Sequence, residues 1–150
     1  MPVVDKTIVI NVPPETVFEF IANQPERMPE WWPPMQEQER TTPAPTELGS
    51  RSRYVYQMMK IRIAGEHEVK AFVPNEHLNI EVLTGITCTF DFKFVPTGTG
   101  ATELVVHVEY ETPGGIFGKL ANKIVIERKN EEDWDVGLAN LKRILESGGA

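Results

Sequence analysis

From about residue 51 to residue 111 apolar and polar side chains alternate with a period of two, the spacing of strands that bury one face and wet the other. In SRSRYVYQMM the set Ser52, Tyr54, Tyr56 and Met58 falls on one side, and Arg51, Arg53, Val55 and Gln57 on the other. IRIAGEHEVKAFV sets Ile61, Ile63, Gly65, His67, Val69 and Ala71 against Arg62, Glu66, Glu68 and Lys70. HLNIEVL alternates too. ITCTFDFKFV places Ile86, Cys88, Phe90, Phe92 and Phe94 inward, and ATELVVHVEYE does the same with Leu104, Val106, Val108 and Tyr110. The breaks VPNEH, LTG and PTGTG carry hairpin turn chemistry, so the pattern predicts an antiparallel meander.

The flanks follow other periods. VVDKTIVINV, residues 3–12, is rich in β-branched residues and stops at Pro13, which predicts a first strand. VPPETVFEFIA then opens a short helix with proline and glutamate in its first turn and Val17, Phe18 and Ile21 on one side. NQPERMPEWWPPM reads as a proline-fixed connector with room for a single helical turn. Residues 116–146 contain no proline, and their apolar spacing moves to three and four through Phe117, Leu120, Ile124, Trp134, Leu138, Leu141 and Leu145. A helix of that length reaches about 45 Å and must lie across the sheet to bury its stripe. The expected architecture is α+β in one domain over residues 1–150, with six to seven antiparallel strands, two short helices after the first strand and one long C-terminal helix.

Projected at 100° per residue, Phe117, Ile124, Arg128, Glu131 and Asp135 fall near one line, so the stripe of the last helix turns polar in its middle. One reading is a bend that leaves ERKNEEDWD as solvated surface. The sharper expectation is that Arg128 and Glu131 face an interior space, because a charge against packed hydrocarbon is expensive unless paired or wetted. Gly137 in mid-helix asks for a close approach or a bend. On the sheet, the inner face carries long or polar-tipped groups, Tyr54, Tyr56, Met58, His67 and Tyr110, beside Phe90 and Phe92. Together these predict a ligand cavity between sheet and helix. In EWWPPM, prolines stiffen a segment bearing Trp31, Trp32 and Met35. The indoles are expected to form a lid at the cavity mouth, one ring inward and the other outward; capping the end of the core is the other reading.

Composition narrows the chemistry. Fifteen Lys and Arg against 22 Asp and Glu leave a net charge of -7, which disfavours nucleic acid. The single cysteine, Cys88, and an N-terminus without a basic and apolar leader point to the cytoplasm. No apolar run is long enough to span a membrane, so any membrane contact is peripheral. His67, His77 and His107 lie on separate segments, so no metal site is expected, nor any cofactor. GGIFGKL fails the phosphate-loop pattern, and no nucleophile motif is present.

Beyond these residue-level readings, NVPPETVFEFI, the Trp-Pro segment EWWPPMQEQE, the meander and the ending EYETPGGIFGKLANKI followed by LANLKRILE resemble the SRPBCC superfamily, in particular its polyketide cyclase/dehydrase-like and coenzyme Q-binding-like branch. The resemblance implies a helix-grip fold, a curved antiparallel sheet wrapped around a long C-terminal helix and enclosing an apolar cavity. It implies binding or transport of a hydrophobic small molecule such as a lipid, an isoprenoid or quinone, or an aromatic polyketide; the alternative is a cyclase/dehydrase using acid and base groups in that cavity. Trp32-Pro33 corresponds to a Trp-Pro element near the cavity mouth of aromatic cyclases. The expected ligand-lining set is Trp31, Trp32, Met35, Tyr54, Tyr56, Met58, His67, Phe90, Phe92, Tyr110, Phe117, Ile124, Arg128 and Glu131.

Overall fold

The computed structural model describes residues 2–111 and 123–148. Its strands are β1 (Val3–Ile10), β2 (Met35–Arg40), β3 (Arg51–Met58), β4 (Ile61–Val73), β5 (His77–Val82), β6 (Cys88–Thr97) and β7 (Ala101–Tyr110). Helix α1 (Pro14–Asn23) and a 3-10 helix (Pro25–Glu30) follow β1, and α2 (Lys123–Glu146) closes the chain. This is the helix-grip architecture. Of the stripe proposed for the last helix, Phe117 and Leu120 lie outside the described residues.

All seven strands form one antiparallel sheet in the order β1-β7-β6-β5-β4-β3-β2. Because β1 and β2 occupy opposite edges, the segment between them must cross the concave face, and it does so as the two short helices. Pro13 in extended conformation and Pro14 in the first turn start α1 where a missing N–H costs nothing. Phe18 of α1 sets its ring edge-on to Phe72 and Phe94, at 5.2 and 5.1 Å between centroids, and so pins the helix to the sheet.

Strand β2 is the one the alternation did not reveal. MQEQER is almost wholly polar, and its pairing with β3 is interrupted by an irregularity between Met35 and Glu37. A second irregularity, between Val69 and Ala71, reverses the facing of β4. Val69 is buried as expected, but beyond it the inward position passes from Ala71 to Phe72, which pairs with the buried Leu78. Such interruptions bend a strand and increase its twist, which suits a sheet that curls around a helix.

Helix α2 has 24 residues and is about 36 Å long. Its buried line is Ile126, Asn130, Asp133, Trp134, Gly137, Leu138, Leu141 and Leu145. The C-terminal half follows the sequence expectation; the N-terminal half does not. Ile124 is 66% exposed and Arg128 is exposed. Glu131 points outward to Lys6 at 2.7 Å, alongside Asp135, whose carboxylate is 3.0 Å from the same amine. The charges take the wet face because an unpaired ion among aromatic rings would cost several kcal/mol. The far end is tied down by Lys142, which donates to the Val9 carbonyl at 2.7 Å, and by Glu146, which accepts from the Asn11 amide at 2.8 Å.

Candidate functional site

Between the concave face and the helices, the middle of the molecule is filled with rings. Trp32 lies 5.1 Å from Trp134 and 5.5 Å, edge-on, from Phe90; Trp31 lies 6.1 Å from Trp134. Both tryptophans of the proline-fixed segment are buried, each 2% exposed, so the expectation of one outward ring is corrected. The turn after the 3-10 helix, where the Trp31 and Trp32 amides both donate to the Met28 carbonyl, delivers the two indoles to the same side.

On either side of this cluster lies a small cavity of about 30 Å³. Each has room for roughly one water, in place of the single large hollow the sequence suggested. The first is bounded by Trp31, Phe90, Phe92 and Leu78, with Gln24, Gln38, Arg40, Thr46, Ser50, Ser52 and His67 as polar members. The second is bounded by Trp32, Trp134, Tyr56, Met58, Cys88 and Tyr110, with Asn130 on the helix side.

The expected lining set therefore divides. Trp31, His67, Phe90 and Phe92 border the first cavity, and Trp32, Tyr56, Met58 and Tyr110 the second. Met35 is buried and borders neither. Tyr54 is also buried, but its hydroxyl is committed elsewhere: it donates to the Thr84 carbonyl at 2.7 Å and accepts from the Ile86 amide at 3.0 Å. That clasp needs bare backbone, since a β-carbon at Gly65 would stand 2.0 Å from the Thr84 oxygen and one at Gly85 2.3 Å from the Tyr54 hydroxyl. Ile124, Arg128 and Glu131 are on the outer face of α2, and Phe117 lies outside the described residues.

Among the described residues three buried side-chain atoms have no hydrogen-bond partner: Trp32 Nε1, Gln38 Oε1 and His67 Nδ1. Burial also sets the acid-base character of the interior. His67 is pushed down to about 4, so its ring is neutral at pH 7. Tyr56 and Cys88 are driven upward by the same loss of hydration. Asp133 on α2 is raised by burial, against the opposing pull of Lys129, whose amine reaches it at 2.5 Å. Among the described residues no cluster of three or more His, Cys, Asp or Glu forms a metal site, and no helix is long and apolar enough to cross a membrane.

Sequence reasoning missed Gln38, Ser52 as a cavity group, Asn130 and Trp134 as a wall. Asn130 was legible in principle: stepping back by fours from Trp134 gives Asn130 and then Ile126. Gln38 carried no signal, because one glutamine in a polar edge strand looks like surface.

Comparison places this geometry. A family model described as polyketide cyclase / dehydrase and lipid transport matches residues 1–146. Among solved structures the chain is similar to TTHA0849 of Thermus thermophilus, at 20% identity and a TM-score of 0.80, covering 99% of this chain and 100% of that one. A START superfamily protein from Mycobacterium smegmatis aligns with a TM-score of 0.79 at 16% identity, over 98% and 99% of the two chains. The Zhui aromatase/cyclase from a Streptomyces species aligns with a TM-score of 0.78 at 16% identity, over 96% and 93%. No curated protein matches the sequence.

Proposed function

Since the chain belongs to the polyketide cyclase/dehydrase and lipid transport family, we propose that it binds an apolar, ring-containing or isoprenoid-like small molecule between the sheet and α2, in a space that forms when the tryptophan cluster parts. The observation that carries the reading is the buried tryptophan cluster with an apolar-walled cavity on either side: Trp31 borders the first, and Trp32, whose Nε1 has no partner among the described residues, borders the second. An unmade buried hydrogen bond costs about 1–3 kcal/mol, so the closed packing leaves part of its free energy unrealised. Two spaces of about 30 Å³ are far below the several hundred Å³ of an ordinary ligand site, and a molecule of ten or more heavy atoms needs the volume the indole now occupies. In this reading Trp31, Trp32, Phe90, Phe92, Tyr56, Met58 and Tyr110 supply dispersion contacts.

The cyclase/dehydrase alternative is less well supported. His67, Tyr56 and Cys88 are all shifted away from the range in which a group both takes and returns a proton at neutral pH. Binding needs no such exchange.

The test is titration with 2-methylnaphthalene, a short isoprenoid alcohol and a quinone, followed by tryptophan emission and native mass spectrometry. A one-to-one complex with altered emission is the expected result. Absence of any complex at millimolar ligand overturns the reading.

A further inference from the structure

The first cavity is chemically lopsided. Its walls are mostly apolar, but Gln38 Oε1 and His67 Nδ1, on residues 8% and 5% exposed, border it without a hydrogen-bond partner among the described residues. The orientation of the Gln38 amide is not free. Its Nε2 donates to the Pro25 carbonyl at 2.9 Å, an atom that only accepts, so Oε1 is the end left over. Strand register places Ser52 of β3 beside His67 of β4, and Gln38 of β2 one inward position along from the residue that faces Ser52. Three adjacent strands thus give one polar strip at the edge of an aromatic cavity. Arg40, which also borders the cavity, donates to the Thr46 hydroxyl at 2.6 Å and has Glu26 at 4.0 Å, so its charge is turned toward Thr46 and Glu26.

We infer that this strip is a hydroxyl-recognition subsite, in which Gln38 Oε1 accepts the proton of an alcohol or phenol on the bound ring system and His67 Nδ1 contacts the same oxygen directly or through one water. The inference rests on the binding function proposed above and adds to it the class of ligand. A phenol fulfils the fixed acceptor; an ether or ketone presents a second acceptor to Gln38, and a hydrocarbon leaves it unsatisfied. Discrimination at a site built around a buried acceptor reaches tenfold or more.

Three naphthalene probes test it, 2-naphthol, its near-isostere 2-methylnaphthalene and the one-carbon-larger ether 2-methoxynaphthalene, titrated by calorimetry into the full chain. We expect 2-naphthol to bind about tenfold tighter than either analogue, with a change in the imidazole nitrogen shifts of His67. Gln38→Met is expected to bring the three affinities within about threefold of one another. Should Gln38→Met fail to fold, Gln38→Leu serves the same comparison, and His67→Phe is expected to reduce the preference for 2-naphthol without abolishing it. Equal binding of all three probes by the parent protein overturns the subsite while leaving the apolar site standing; binding of none overturns the apolar site and the subsite with it.

Discussion

The indole of Trp32 packs against the bare backbone of Gly137. A β-carbon at position 137 would stand 3.1 Å from Trp32 Cδ1 and 3.2 Å from the Trp31 carbonyl oxygen, closer than side chains ordinarily approach. Glycine in mid-helix costs about 1 kcal/mol relative to alanine, and here that cost permits α2 to lie directly on the tryptophan segment. Asn140 donates to the same Trp31 carbonyl at 3.2 Å and fixes the contact one turn further on. Gly137→Ala is therefore expected to be close to neutral in a urea melt, helix propensity offsetting the contact. Gly137→Leu is expected to lose about 2–4 kcal/mol, in the range of overpacked cores or beyond it.

Truncating the central indole separates stability from capacity. Trp32→Ala is expected to destabilise the fold by about 3–5 kcal/mol and to strengthen binding of 2-methylnaphthalene, because the cavity that Trp32 borders is then enlarged by the volume of the indole. Denaturant melts with and without the hydrocarbon read both effects. A variant that loses stability but binds no tighter would show that Trp32 is core alone.

Tyr54 sits among the ring residues but has a different task. Tyr54→Phe removes a donor from the Thr84 carbonyl and an acceptor from the Ile86 amide, with an expected loss of about 1–3 kcal/mol. Ligand affinity of the folded fraction should not change. Its measurement beside Tyr56→Phe distinguishes a clasp from a cavity wall.

The outward turn of the charged positions on α2 is checked by Arg128→Ala and Glu131→Gln. Glu131 and Lys6 form a solvent-facing pair with side chains 45% and 23% exposed, so their loss should cost less than about 1 kcal/mol and vanish at high salt. Neither change should alter binding of any naphthalene probe. A tenfold effect from either would return these residues to the site.

His67 makes stability pH-dependent in a defined direction. Its folded value, about 4, lies below the unfolded 6.5, so between these limits the unfolded chain binds the extra proton and acid favours unfolding. The contribution is fully present above about pH 6.5 and is lost progressively as the pH falls toward 4, amounting to roughly 2–3 kcal/mol. Glu30 and Glu68, held low by Arg27 and by Lys70 with Arg51, lose stability in acid as well, while Asp133, raised by burial, works the other way. The informative quantity is thus the difference between the parent and His67→Phe across pH 4.5–7, which should shrink steadily toward low pH.

What the sequence determined by itself is the part set by local periodicity. Alternation from Arg51 to Tyr110 specifies strands and the inner face because successive side chains of a strand must point to opposite sides, and Tyr56, Met58, His67, Phe90, Phe92 and Tyr110 all follow it. The proline-bounded start of α1 and the leucines of the second half of α2 were equally legible. Tertiary structure decided the rest. An irregularity near Lys70 moved Phe72 inward in place of Ala71, and β2 became a strand only by pairing with β3. The rotation of α2 about its axis was settled by Trp134 and Gly137 meeting Trp31 and Trp32, more than a hundred residues away in the chain, which turned Arg128 and Glu131 to water. Those same contacts filled the centre with indoles and split one expected hollow into two small cavities. Periodicity states which side of an element is apolar; how completely two apolar sides close on each other depends on side-chain volumes brought together only by the fold.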